Sequence, residues 1–382
     1  MQQHGALNGI RVLDLSRMLP GPYCSMILAD HGAQVIAIED KKFQADGLFF
    51  SDLNRNKRHM TLNLKSSQGL EIFFRLAEKV DVILEGFRPG VVARLGVDYQ
   101  AIRKINPGII YCSITGYGQT GPLRDRAGHD VNYLSVAGVL GLIGEKDRPP
   151  TIPGVQVADI AGGAMNAAVG ILLALYAREK SGQGQHIDIS MTDGMVGFLS
   201  LPYFFAMRNG QPPKTADTLL SHRYACYNTY ETADGRYLAL GAVENRFWRG
   251  LCEHLQHPEY IALQYDEERR EEIIGFLRRQ FLTRTLAVWE NDLAHLDICC
   301  SAVKTMEEVL TDSLFKEREM VHSYTDTNGA ERRGFGIPVK MSHTPGSIRT
   351  PPGPFGGGTR DVLVEAGYSN DQIEAFIDAG VV

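Results

Sequence analysis

The chain of 382 residues lacks most of the signatures that assign a chemistry at sight. No G-x-G-x-x-G follows its first apolar run, where the turn carries proline, and no G-x-x-x-x-G-K-[ST] occurs. A dinucleotide-dependent dehydrogenase and a P-loop enzyme are therefore disfavoured. Six cysteines (Cys24, Cys112, Cys226, Cys252, Cys299, Cys300) form no C-x-x-C pair and no regular framework, which argues for a reducing compartment. No group of residues has metal-ligand spacing, so no metal is expected. Cationic excess is absent too: 39 Lys and Arg against 45 Asp and Glu leave a net charge of −6. That gives no electrostatic footprint for nucleic acid or an anionic membrane. No apolar run approaches the roughly 20 residues that span a bilayer, and Met1-Gln2-Gln3-His4 opens no basic region followed by an apolar core. Internal repeats and low-complexity tracts are also missing. What remains is the composition of a soluble globular protein, expected in the cytoplasm, with 44% hydrophobic and 22% charged residues. Its length suffices for two domains or one large one.

What is present is an alternation of strands and helices. Gly9–Leu15 reads as a buried strand, Pro20-Gly21-Pro22 opens a helix to about Asp30, and Gln34–Ile38 is a second strand. Strand–helix–strand is the beginning of a parallel sheet. A polar segment, Asn54–Arg58, leads into Thr61–Leu64 and a helix from about Ser67 to Glu78. Val80–Leu84 and Ile109–Ser113 are further strands, running out into Glu85–Gly90 and Gly116-Tyr117-Gly118. Open α/β sheets bind ligands at such carboxyl ends. Gln185–Ile189 is another strand, followed by a helix from about Thr192 to Arg208, and the polar Gly210–Thr218 is a candidate crossing between domains. Asp234-Gly235 between Tyr227–Glu231 and Arg236–Leu240 predicts a hairpin. Helices at 245–255 and 267–281, and renewed alternation near Cys299–Val309, make 225–325 a smaller α+β domain. The Gly/Pro loop Pro351–Gly358 precedes two short helices at 360–366 and 370–379.

The stretch Gly128–Gly163 organises the rest. An Ala/Gly/Leu-rich run with helical spacing, Ile160–Arg178, places Asp159 at a helix N-terminus, as the cap or in the first turn. Gly162 and Gly163 follow inside that turn, where each costs about 1 kcal/mol against alanine. A close approach by a ligand or another helix accounts for such a pair. The first-turn N–H groups over Asp159–Gly163 are placed to stabilise an anionic oxygen.

Several segments jointly resemble the class III CoA-transferase superfamily, of CaiB/BaiF type, over essentially the whole chain. They are Leu7–Leu15, Asn54–Arg58, Glu85–Gly90, Ile114–Pro122, Asp159 with its two glycines, Gly182–Gln185, Thr232–Tyr237 and Glu365–Ser369. The resemblance implies an open, mostly parallel Rossmann-like sheet in a large α/β domain built from both chain ends. On that expectation residues 1–210 and 326–382 form the large CoA-binding domain and 225–325 the small one, and two subunits thread through each other as an interlocked homodimer. It also implies a small-molecule acyl-CoA thioester as substrate, with coenzyme A part of that substrate and no separate cofactor.

The branches of this superfamily use one aspartate differently. In the transferases the residue at the position of Asp159 is a nucleophile that forms acyl anhydride and CoA thioester intermediates. In the racemase branch it shuttles the α-proton of a 2-methylacyl-CoA with the histidine of a Gly-His-Asp motif. Gly128-His129-Asp130-Val131-Asn132-Tyr133 resembles that motif, and Glu244 stands where the racemases carry a glutamate that pairs with the histidine. No Gly-rich loop follows the strand ending at Leu240, unlike formyl-CoA transferase. A 1,1-proton transfer needs an acid and a base on opposite faces of the α-carbon. Imidazole, with an ordinary pKa of about 6.5, serves as either, whereas a carboxylate needs its pKa raised to hold the proton.

The expectation is thus a racemase with His129, Asp159 and Glu244 as catalytic groups, and Asn132, Tyr133, Ile160, Gly162 and Gly163 around the enolate and acyl group. Arg88, with its fork of donors, is the phosphate-binding candidate; Arg55, Arg58, Lys41, Lys42, Leu62 and Gly86 complete the expected CoA site. A CoA-transferase with an aspartyl-CoA intermediate at Asp159 is the alternative, and a non-catalytic acyl-CoA-binding dimer the third. Two departures from the superfamily stand out. Relatives place a basic residue directly after the acid that ends the second strand, but here Asp40 follows Glu39 and the lysines are displaced to 41 and 42. Gly356–Gly358 replaces bulkier, charged residues before Thr359.

Overall fold

A computed structural model describes residues 5–45, 51–326 and 329–382; Met1–His4, on which the reading of the N-terminus rests, lie outside the described residues. Six strands form the central sheet: β1 (Arg11–Asp14), β2 (Gln34–Glu39), β3 (Lys57–Thr61), β4 (Val82–Glu85), β5 (Ile110–Thr115) and β6 (Gln185–Ser190). All neighbours pair in parallel, in the order β3-β2-β1-β4-β5-β6. Parallel strands need crossover helices on their faces, which bury both sides of the central strands; Val12, Leu13, Val82, Ile83 and Ile110 are accordingly fully buried. Strand order reverses between β1 and β4, so the crevice at their carboxyl ends is a topological switch point.

The helices of this part are α1 (Pro20–Asp30), α2 (Ser67–Ala77), α3 (Val91–Leu95), α4 (Tyr99–Ile102), α5 (Asp130–Val136), α6 (Asn166–Ser181) and α7 (Met191–Val196). Phe73 of α2, Leu13, Ile83 and Tyr111 share one apolar core with Val362, Leu363, Ile373 and Val381 from the end of the chain. Residues 5–137, 154–198 and 312–382 thus belong to one compact unit, and 138–153 with 199–311 to a second. In the second, α8 (Ser200–Asn209) precedes the antiparallel sheet of β7 (Tyr227–Glu231), β8 (Tyr237–Gly241) and β9 (Cys300–Ala302), turned at Asp234-Gly235 as the sequence predicts. This sheet packs on α9 (Asn245–His254), α10 (Arg270–Phe281) and α11 (Leu286–Leu293) through Trp248, Phe281 and Trp289. An antiparallel hairpin of β10 (Val321–Thr325) and β11 (Glu331–Phe335) belongs to the first unit, and nothing in the sequence reading anticipated it.

The structure moves several boundaries. The division falls between Phe198 and Leu199, not at 210–218, because the helix expected over 192–208 breaks into α7 and α8 at Gly197. Residues 312–325, expected in the small domain, lie in the first unit, and 138–153, expected in the large one, lie in the second. The polar segment Asn54–Arg58 already enters strand β3 at Lys57, and β3 ends at Thr61. It is buried because its charges are paired: Lys57 lies 4.0 Å from Asp14, and His59 Nδ1 lies 2.7 Å from Glu39. The expectation that no apolar run approaches membrane-spanning length is also corrected. The helical stretch Ala158–Ser181, 24 residues, is long and apolar enough by length and composition. Its apolar character serves, at least in part, packing against α1 and β5.

Candidate active site

The two loops that flank the switch point are each held by the acid ending their strand. Asp14 accepts the Ser16 N–H at 2.9 Å, and Glu85 accepts the Phe87 N–H at 2.8 Å. The loops touch: a Cβ on Gly86 would lie 3.5 Å from Ser16 Cβ. The second loop carries Arg88, exposed and directed by the turn that closes at Gly90 with φ +82°.

His129 occupies the N-cap position of α5 in extended conformation, and its N–H donates to Asn132 Oδ1 at 3.0 Å. Asn132 therefore fixes the backbone from which the exposed imidazole projects. Asp130 is buried and accepts the Asp159 N–H at 3.0 Å, tying the start of α5 to the start of the next helical segment. That segment, Ala158–Met165, is wound as a wide π-type turn before α6, a geometry frequent at functional sites. Val157 is its N-cap, so Asp159 lies in the first turn and is not the cap. Among the described residues its carboxylate has no hydrogen-bond donor. Burial pushes the Asp159 pKa up to about 6, Asp130 adds to the rise, and His129 opposes it. His129 and Asp159 thus lie within electrostatic reach of each other.

Tyr133 belongs to the same neighbourhood. Its pKa is raised by burial first and then by Asp159, Tyr117 and Asp130, and lowered by Arg88. The ring stands edge-on to Tyr117 at 5.3 Å, and its hydroxyl donates to the Gly128 carbonyl. Side chains at Gly116 and Gly128 would collide with it, their Cβ atoms lying 2.4 and 2.7 Å from ring carbons. The sequence pattern G-H-D-x-N-Y therefore encodes a seat: glycine for the ring, histidine at the cap, aspartate as the tie, asparagine as the clamp.

Other expected site residues are placed differently. Gly162 and Gly163 are buried against α7 and α1: their Cβ atoms would lie 2.6 Å from the Met191 carbonyl oxygen and 2.9 Å from Met191 Cγ. The glycine pair accommodates a neighbouring helix. Two of the first-turn donors expected for the enolate are already committed, that of Asp159 to Asp130 and that of Ile160 to the Gln156 carbonyl at 3.1 Å. Arg55, expected at coenzyme A, is 5% exposed and forked onto Asp30 at 2.7–3.2 Å. Arg58 pairs with Glu365 at 2.6 Å on the surface. Lys41, Lys42 and Leu62 line a single cavity of about 260 Å³ with Lys65, which the sequence reading left out. Glu244 is exposed at the N-cap of α9 in the second unit. Gly356–Gly358 folds over the ends of β2 and β3, its N–H groups donating to Glu39 at 2.8 Å and to the His59 carbonyl at 2.7 Å. Gly356 adopts φ +67°, and a Cβ there would meet Thr61 at 2.8 Å, so glycine is required. Asp130 and Glu85 were not singled out as site residues, although both lie inside quoted motifs.

The profile of the family described as CoA-transferase family III matches residues 7–359. The chain is 33% identical to the α-methylacyl-CoA racemase of Homo sapiens over 374 residues, covering 96% of this chain and 95% of that protein. It is 32% identical to the succinyl-CoA:mesaconate CoA-transferase of Haloarcula marismortui, covering 89% and 91%. A CaiB/BaiF family protein from Brucella suis superimposes with a TM-score of 0.83 at 28% identity, covering 95% of this chain and 100% of that one.

Proposed function

The chain belongs to CoA-transferase family III, and from that premise we propose that it inverts the α-carbon of a 2-methyl-branched acyl-CoA by 1,1-proton transfer through an enolate. The observation that carries this reading is the acidity of Asp159, pushed up to about 6 beside His129. A carboxyl raised that far toward neutrality can both take up a proton and give it back. That is what a racemase needs of Asp159 and of its partner His129, since each must take the α-proton in one direction and return it in the other. An aspartate at the ordinary 3.8 would give up its proton too readily to hold it for return. Similarity to racemases at 33–34% identity supports the same branch.

In the forward step ionised Asp159 or neutral His129 removes the proton, and the protonated partner delivers one to the opposite face. Asp159 is a base only above its pKa of about 6, so abstraction by it is lost as pH falls through that value. Arg88 at the switch point is the anchor for a CoA phosphate, and Lys41 and Lys42, across the cavity with Leu62, offer a second cationic position. Glu244, exposed at the N-cap of α9, is the third catalytic candidate. Two copies associate as an interlocked homodimer, a reading supported by large apolar side chains left exposed on α6 and α8, among them Leu173 and Tyr176 at 64% and Met207 at 66%. The enzyme works in the cytoplasm, with no cofactor beyond the coenzyme A of its substrate.

The second reading is CoA transfer between carboxylic acids through an aspartyl-CoA at Asp159, favoured by the similarity to succinyl-CoA transferases. One experiment separates them: incubation with a single enantiomer of a 2-methylacyl-CoA in D2O without acceptor acid, followed by NMR. Exchange of the α-hydrogen with loss of optical purity, reduced about 10²- to 10⁴-fold in His129→Ala, supports the racemase. No exchange, with CoA passing to an added carboxylate, overturns it in favour of the transferase.

A further inference from the structure

Glu85 is an acid that the proposed proton transfer does not use. It ends β4, is 1% exposed, and has Ser113 of β5 as its direct cross-strand partner. Its carboxylate accepts from the Phe87 N–H at 2.8 Å, and the Ser113 side chain lies close enough to oppose the rise in its pKa. Ser113 Oγ in turn lies 3.0 Å from His186 Nε2 on β6. His186 is exposed on its strand and stacked on Tyr99, with ring centroids 5.7 Å apart. A line of polar side chains therefore runs across three strands, from the buried carboxyl through its cross-strand neighbour Ser113 to His186 on the outer strand of the sheet. The charged and titratable groups around it are Tyr111 and Cys112 on β5, His186 and Asp188 on β6, Asp98 before α4, and Asp14 at the end of β1.

We propose that Glu85 is a positioning residue for substrate binding: its ionised carboxylate locks the loop Gly86–Gly90 that presents Arg88, and the Ser113–His186 relay exchanges its proton with solvent. When Glu85 is ionised, Ser113 donates to it and accepts from His186 Nε2–H. Protonation reverses both links: a proton enters at His186 Nδ1, Nε2–H passes to Ser113 Oγ, and the Ser113 hydroxyl proton passes to Glu85, for a net gain of one. The bond from Phe87 N–H then loses its charge assistance, which accounts for roughly half of its strength. Burial raises the Glu85 pKa to about 7, with Asp188 adding to the rise and the Ser113 and Phe87 bonds opposing it. The lock is therefore engaged above neutrality and released below it.

This inference rests on the reading that Arg88 holds coenzyme A, and the test separates the two. The dissociation constant of free CoA is measured from pH 6 to pH 8.5 for the wild type, Glu85→Gln and Arg88→Ala. Glu85→Gln keeps the acceptor and removes the charge, so it is expected to bind about three- to tenfold more weakly at pH 8. Its curve converges with the wild type at pH 6, where Glu85 is already neutral. Parallel curves offset at every pH, or coincident curves, overturn the proposal. If Arg88→Ala leaves CoA binding unchanged, the assignment of Arg88 fails. The lock is then read from amide exchange of the Phe87 peptide at one alkaline pH, where faster exchange in Glu85→Gln supports it and equal exchange overturns it. If Glu85→Gln does not fold, a 13C titration of the Glu85 carboxyl in wild-type protein decides. A midpoint near neutrality, shifted in Ser113→Ala, is the expected result, and one near 4 overturns it.

Discussion

Asp30 and Asp159 are two acids of the same unit with opposite surroundings. Asp30 is 3% exposed and saturated: Arg55 forks onto both of its oxygens and Asn56 Nδ2 donates at 2.8 Å. Asp159 is half-buried, lacks a donor to its carboxylate among the described residues, and has a second acid, Asp130, near it as well as His129. A saturated charge is scaffold, because its partners fix both its ionisation and its position. An unsaturated one retains free-energy gain for a substrate proton or acyl group. The same contrast separates Arg55, which the motif suggested for coenzyme A, from Arg88, which remains exposed at the switch point.

The sharpest way to break this comparison is Asp159→Asn. It is expected to lower racemase or transferase turnover by roughly 10³-fold or more, measured as α-proton exchange and as CoA transfer. Its stability effect runs the other way. The folded-state pKa is raised above the ordinary 3.8, so the folded state holds the extra proton and stability declines as pH rises from about 4 to 6. Asp159→Asn removes that decline, and urea midpoints at pH 4.5 and 7 report it. A variant that is inactive because it is unfolded would refute the distinction.

Arg55→Ala tests the other acid. Leaving Asp30 buried without its guanidinium is expected to cost about 3–5 kcal/mol of stability, read from urea unfolding, while turnover per folded molecule is preserved. A selective rise in the KM for acyl-CoA, with stability unchanged, would return Arg55 to the binding site. Gly162→Ala follows, at about 1–3 kcal/mol, because its Cβ would lie 2.6 Å from the Met191 carbonyl; a gain in stability would contradict the close helix contact. Arg58→Ala is the smallest, under about 1 kcal/mol, since its ion pair with Glu365 is exposed on both sides. A thermal shift series detects it, and a large change in CoA affinity instead would give Arg58 a binding role.

Much of the fold was legible because its signals are local. Apolar runs of four to six residues between helical patterns gave the parallel sheet, and Asp234-Gly235 gave the hairpin. β3 escaped because its charges look like a loop until Asp14 and Glu39, from other strands, are beside them. The hairpin of β10 and β11 escaped because its pattern is polar: Glu331, Arg332 and Arg333 are exposed. Asp159 and His129 were visible in the sequence as motif residues, but the acidity of Asp159 was not, because burial and Asp130 create it.

The sequence by itself determined the family, the strand–helix order and the residue types that do chemistry, since these depend on neighbours along the chain. Only the tertiary structure decided which arginine is buried on Asp30, which glycines admit a helix, and which carboxyls titrate near neutrality. Those properties are set by solvent exclusion and by charges that arrive from distant segments, and neither is written in any one stretch of the chain.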